Sequence, residues 1–130
     1  MEIRRFGLEL SDYSIVDAWI AGHKAYDYAH EPYPEHALLA FHEGAPIAMM
    51  GIKGQQNVGI IDWLITNPSM KFAQRAQAID ELYEKMEQYA INCGMSLLLA
   101  WTDHKSLIKK FAKRGWITPK MTFLVKDLRG

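Results

Sequence analysis

The chain has 130 residues and a mass of 14.9 kDa, enough for one domain, 1–130, with a sizeable core that needs no disulfide or metal. Fifteen Lys and Arg balance fifteen Asp and Glu; the zero net charge argues against a general nucleic-acid or membrane-surface coat. The single cysteine, Cys93, excludes an internal disulfide and a multi-cysteine zinc site, and no window approaches the roughly 18 consecutive apolar residues of a membrane span. No long apolar stretch follows Met1-Glu2-Ile3-Arg4-Arg5, so no signal peptide is expected, and the chain reads as a soluble, cytoplasmic protein. Four Trp and six Tyr supply large aromatic area, which serves a small core or an interface.

In chain order, Ile3 to Leu8 reads as a short strand. Ser11-Asp12 can cap a helix from about Tyr13 to Lys24, whose apolar face is Ile15, Val16, Trp19 and Ile20. Pro32 and Pro34 break the following segment into a loop or a short broken helix. Ala37–Phe41 and Ile47–Ile52 are apolar runs joined by His42-Glu43-Gly44-Ala45-Pro46, a hairpin signal, and Gly54-Gln55-Gln56-Asn57 turns the chain into a third strand, Val58–Thr66. A long amphipathic helix is expected over Phe72–Asn92, with Gly94 as its stop. Ser96–Trp101 has the composition of a buried strand. Asp103 is expected to cap a helix from Lys105 to Arg114 that Gly115 ends, and Met121–Lys126 reads as a last strand. That order makes an α/β fold: a mixed sheet with helices on both faces, parallel where the long helix connects its flanking strands.

The densest signal lies between Leu64 and Ala76, where an apolar strand stops at Pro68 and a basic helix start follows. Unpaired N–H groups and the positive end of the helix dipole suit a phosphate there. The element order, the hairpin Leu38-Leu39-Ala40-Phe41-His42-Glu43-Gly44-Ala45-Pro46-Ile47-Ala48-Met49-Met50-Gly51, the strand end Leu64-Ile65-Thr66-Asn67-Pro68 and the Arg114-Gly115-Trp116 ending together resemble the acyl-CoA-dependent N-acetyltransferase superfamily known as GNAT. The resemblance implies a GNAT-like mixed sheet of six to seven strands. It also implies an acetyl-CoA donor, a primary amine acceptor, and a cofactor site along the fourth strand and the start of the long helix. Leu64, Ile65 and Thr66 would pair with the pantetheine arm. A backbone N–H near Leu64–Ile65 would stabilise the oxyanion, an effect often worth about 3 kcal/mol.

The family's phosphate loop begins with Arg or Gln, has glycine three residues later and glycine or alanine two after that. Lys71, Gln74 and Ala76 stand on those places, so the loop Lys71, Phe72, Ala73, Gln74, Arg75, Ala76 keeps its charge but lacks its glycine. A Gln74 side chain crowds the path by which backbone meets pyrophosphate. Counting back from Gly115, His104 stands where the family often has Asn, and Phe111 where it often has the Tyr that protonates the CoA sulfur. Phenylalanine cannot donate a proton, although a thiolate leaves tolerably without help.

Asp62 lies on the fourth strand beside the expected acceptor amine. It reads either as the general base or as an outward-facing acid in a salt bridge. His23, His30, His36, His42 and His104 show no metal-like spacing, so no metal is expected. His30, Glu31 and His36 border the Pro-rich loop and are read either as substrate contacts or as solvated loop polar groups. Cys93 is expected to be packed against the core rather than reactive. Lys105, Lys109, Lys110, Lys113 and Arg114 form a basic helix face, suited to a CoA 3′-phosphate or simply solvated, and the neutral net charge weighs against nucleic acid.

The segment after Asp62 also resembles small GNAT-like proteins of short-tailed phages, through its Trp before a basic loop and the Thr102-to-Gly115 ending. Two functions therefore stand. One is an N-acetyltransferase with Asp62 as base. The other is a catalytically silent GNAT-like binding protein whose partner is a second copy or a virion protein, for which Gln74, Phe111 and the abundant aromatics would be natural.

Overall fold

The structure is a computed structural model and describes residues 1–24, 32–100, 105–117 and 126–129. They fall in two compact units, Met1–Ala100 and Trp101–Gly130. The first unit contains β1 (Glu2–Arg5), α1 (Ser11–Gly22), β2 (His36–His42), β3 (Ala45–Gln55), β4 (Val58–Thr66), α2 (Phe72–Asn92) and β5 (Leu97–Ala100). Its five strands lie in the order β1-β2-β3-β4-β5. The first three pairings are antiparallel, and β4 pairs with β5 in parallel. A parallel neighbour needs a long crossover, and α2 supplies it, as the sequence led us to expect.

The β2–β3 turn explains itself locally. Glu43 and Gly44 both take positive φ, 49° and 83°, the conformation of a tight primed hairpin turn whose twist matches its strands. Alternation along the strands then sorts the core into two layers. Ala37, Leu39, Met49, Trp63 and Ile65 pack with Val16, Trp19 and Ile20 of α1. Leu38, Ala40, Ala48, Met50 and Ile52, on the intervening positions, are buried on the face where α2 packs on β2 and β3 with Ala78, Leu82, Tyr83, Met86 and Ala90 inward. The sheet is therefore mixed and covered on both faces.

Several local expectations are corrected. Ser11 and Asp12 do not cap α1, which starts at Ser11 with no side-chain cap bond. Asp12 is instead 1% exposed and held by Arg4 through two hydrogen bonds of 2.7 and 2.8 Å, with the Gly7 N–H adding a third at 2.9 Å. A buried carboxylate needs such partners more than a helix end needs a cap. The Arg4 hydrogen bonds hold the Asp12 carboxyl below its ordinary pKa, and the carboxylate in turn raises that of Arg4. Gly7, at φ 90°, bends the chain toward this contact, which is why β1 ends at Arg5 rather than Leu8.

Cys93 is exposed, not packed. It sits where α2 ends: the Gly94 N–H bonds Ile91 O at 3.0 Å, and the Met95 N–H bonds Ala90 O at 2.9 Å. Cys93 keeps its helical bond, its N–H to Tyr89 O at 3.0 Å, and Gly94 at φ 83° turns the chain out of the helix directly after it. The sheet has five strands among the described residues, against six to seven expected; the expected last strand, Met121–Lys126, and the Asp103 cap lie outside the described residues but for Lys126.

The second unit contains α3 (Lys105–Lys113). Gly115, at φ 86°, ends it as expected, with the Trp116 N–H bonded to Phe111 O at 3.0 Å and the two rings edge to face at 4.7 Å.

Candidate functional site

β4 carries an irregularity where the sequence places the reacting groups. Its register against β3 runs Ile61 opposite Ile52, then Trp63 opposite Gly51, so Asp62 is the extra residue of a β-bulge. Among the described residues, pairing with β5 runs from Val58 to Ile61, opposite Leu97 to Ala100, and the positions from Trp101 on lie outside the described residues.

Asp62 is one-third exposed, and its Oδ2 lies 2.9 Å from Lys53 Nζ on β3. The contact is coulombic: Oδ2 is shielded from solvent, with no donor aligned on it among the described residues. Of the two readings of Asp62, the salt bridge is the one the geometry displays. The next residue, Trp63, turns into the core at 1% exposure, with the Tyr33 ring 5.5 Å away. Tyr33 donates its hydroxyl proton to Asp17, and burial, then that carboxylate, push its pKa well above the ordinary value. It is therefore a poor proton source.

Past Thr66 the chain is fastened before the helix begins. The Asn67 N–H bonds Ile47 O at 2.7 Å, the Asn67 side chain bonds Pro46 O at 3.1 Å, and its carbonyl accepts the Ser69 N–H at 3.0 Å. Ile47 is itself the extra residue of a bulge in β3, where its partner β2 passes from Ala40 to Phe41. On the other side, His23 at the end of α1 bonds the Thr66 carbonyl at 2.7 Å. These contacts fix where the start of α2 points.

At that start, the first intrahelical bond runs from the Arg75 N–H to Lys71 O at 3.0 Å. The N–H groups of Phe72, Ala73 and Gln74 have no acceptor within the helix and form the cluster a phosphate would use. The Lys71 N–H is already taken by Gln74 Oε1 at 3.3 Å, while Gln74 Nε2 lies 3.3 Å from His42 Nε2. Lys71 is exposed and brings a cation to the helix entrance. Arg75 turns back toward the strand, 3.5 Å from Thr66 Oγ1, with its buried Nε unpaired among the described residues. Phe72 is 79% exposed, Ala73 is exposed and Ala76 half-buried beside it.

The structure thus brings Asp62, Leu64, Ile65 and Thr66 together on one bulged strand that leads directly to residues 71–76. His36 stands elsewhere: it shares a 2.8 Å hydrogen bond with the Tyr89 hydroxyl, on the face that α2 covers, and burial raises the pKa of that hydroxyl. His30, Glu31 and His104 lie outside the described residues. Phe111 belongs to the second unit, where it is buried with its ring against Trp116. Sequence reasoning missed Lys53, His23, His42 and Asn67. Lys53 was within reach: it pairs with Ile60, and a long side chain spans the diagonal to a residue two further along.

The fold of the chain is similar to that of several solved acetyltransferases. An aminoglycoside N-acetyltransferase, AAC(6')-Iy, solved in complex with CoA, is similar to this chain with a TM-score of 0.67 at 11% identity, over 99% of this chain and 100% of that one. A ribosomal-protein-alanine N-acetyltransferase from Brucella melitensis gives 0.67 at 13% identity, over 98% of each chain. A Trypanosoma brucei acetyltransferase gives 0.64 at 16%, over 96% of this chain and 98% of that one. No family model matches the sequence, and no curated protein matches it. At such identities the likeness is one of fold.

Proposed function

We propose that this chain is an acyl-CoA-dependent N-acetyltransferase that acetylates a primary amine in the cytoplasm. The observation that carries the reading is the junction of β4 and α2: the strand runs directly into three N–H groups without helical acceptors, beside the Lys71 cation. Those groups fit a thioester donor with a pantetheine arm and a pyrophosphate. Acetyl-CoA, when bound, supplies an activated acyl carbon and a thiolate leaving group.

The residues then have distinct tasks. Phe72, Ala73 and Gln74 offer N–H groups to phosphate oxygens, and Lys71 offers charge. Leu64, Ile65 and Thr66 offer strand backbone to the arm, and an N–H of Leu64 or Ile65 stabilises negative charge on the carbonyl oxygen. Asp62 takes the ammonium proton, directly or through water, once the incoming amine has displaced Lys53. Phe111 cannot protonate the departing sulfur, so the thiolate leaves unassisted by it.

Two features favour a second reading, a silent binding protein of the same fold: the Gln74 side chain in the loop and the closed Lys53–Asp62 pair. Thiol release from acetyl-CoA with a panel of primary amines distinguishes them. Exposed Cys93 reacts with the thiol reagent and is subtracted as a fixed background. Amine-dependent thiol release that falls in Asp62→Asn supports the enzyme; its absence with every amine supports the silent protein.

A further inference from the structure

Gln74 bridges the start of α2 and the β2–β3 hairpin, and its two bonds fix the state of His42. Its Oε1 faces the Lys71 N–H at 3.3 Å, and a backbone N–H can only donate, so the oxygen end of the amide is assigned by its partner. The nitrogen end, which also only donates, therefore faces His42 Nε2 at 3.3 Å. His42 Nε2 must accept, so the ring is neutral and carries its proton on Nδ1. An imidazolium, with a donor on each nitrogen, has no place in this arrangement. It would set two donors against each other, and turning the amide over would set Nε2 against the Lys71 N–H instead. The capping box and a protonated His42 exclude one another.

The excluded state is the one a polyanion favours. Gln74 occupies the Lys71 N–H, beside the N–H groups of Phe72, Ala73 and Gln74 that have no helical acceptor. Once His42 is protonated, Gln74 lets go, a fourth N–H joins those three, and the imidazolium adds its charge to that of Lys71. The charged residues on the elements beside His42 are Glu2 on β1, Glu43 in the hairpin turn, and Lys71 and Arg75 at the start of α2, with Glu81 two turns further on; among the described residues none is bonded to the ring. We infer that His42 is a further residue of the donor site, acting as an imidazolium: acetyl-CoA binding takes up a proton at His42 and releases Gln74 from Lys71. The inference rests on the acetyl-CoA reading above. Linkage makes the effect reciprocal, so acetyl-CoA binds more tightly as pH falls through the range in which histidine gains its charge.

The test titrates the full-length protein with acetyl-CoA by calorimetry at about pH 5.5 and about pH 8, beside the variant His42→Gln. The amide oxygen of that variant can accept from Gln74 as the neutral ring does, but it takes no proton. The ratio of affinities between the two pH values should favour the lower pH by at least about fivefold more in the parent than in His42→Gln. That comparison cancels the 3′-phosphate of the ligand, which titrates in the same range. In the parent at about pH 7, the nitrogen resonances of the His42 ring should pass from the neutral pattern to the imidazolium pattern as acetyl-CoA is added. If acetyl-CoA binds but His42 stays neutral in the complex, or if His42→Gln keeps the parent's pH dependence, His42 is not part of the donor site and the transferase reading stands. If acetyl-CoA binds at neither pH, both fall.

Discussion

Gln74 closes the start of α2 on itself, its Oε1 accepting the Lys71 N–H at 3.3 Å. Gln74, which stands where the GNAT resemblance would put a glycine, therefore has a structural task, half of a capping box, and through its amide it also reaches His42 on the β2–β3 hairpin. Gln74→Gly should separate the two consequences. Removing the cap and placing glycine in the first turn costs about 1–2 kcal/mol of stability, read as a lower melting temperature. Removing the side chain from the phosphate path should tighten acetyl-CoA binding in a calorimetric titration. Equal or weaker affinity would place the phosphates elsewhere.

Asp62→Asn keeps the shape of the bulge residue and removes the proton acceptor. Transfer to an external amine should fall by about a hundredfold or more, with acetyl-CoA affinity nearly unchanged, because the backbone groups that hold the donor are untouched. An unchanged rate across pH would show that Asp62 is not the base.

The Arg4–Asp12 pair predicts an acid-sensitive fold. The hydrogen bonds from Arg4 depress the Asp12 carboxyl below its ordinary 3.8, so its stabilisation is fully present above that value and is lost as pH falls through the folded value. Denaturant midpoints should decline below about pH 4. In Asp12→Ala the unfolding free energy at neutral pH should be lower by about 3 kcal/mol, with a shallower acid decline of the midpoint.

Gly51 faces Trp63 across the bulge. A Cβ there would stand 2.2 Å from Pro34 Cγ and 3.3 Å from Trp63 Cβ, so Gly51→Ala cannot be absorbed by one flexible side chain. We expect a loss of about 1–3 kcal/mol in denaturant unfolding, and reduced transfer through displacement of Asp62. Wild-type stability in that variant would show that Pro34 and the bulge yield easily.

What was legible in the chain follows from where the physics is local. The bounds of α2 and the β2–β3 turn come from apolar spacing and a single Glu-Gly pair, and both appear where expected. Asp12 next to Ser11 looked like a cap because capping is a short-range pattern. Its actual partner, Arg4, is on a separate element, and only the packed fold brings the two together. Cys93 shares the spacing of buried residues, yet it stands at the very end of α2, where the chain leaves the helix at Gly94, and is exposed. The Asp62 bulge was equally hidden. Nothing in Ile61-Asp62-Trp63 marks an inserted residue until the register with Gly51 and Ile52 is seen.

The central claim is that the end of β4 and the start of α2 hold acetyl-CoA, and its most direct test is calorimetric titration of the full-length protein with acetyl-CoA. We predict saturable one-to-one binding that weakens with added salt, as phosphate contacts with Lys71 require, and weakens in Lys71→Ala. No binding heat at any accessible concentration, or binding indifferent to Lys71→Ala and to salt, would contradict the account.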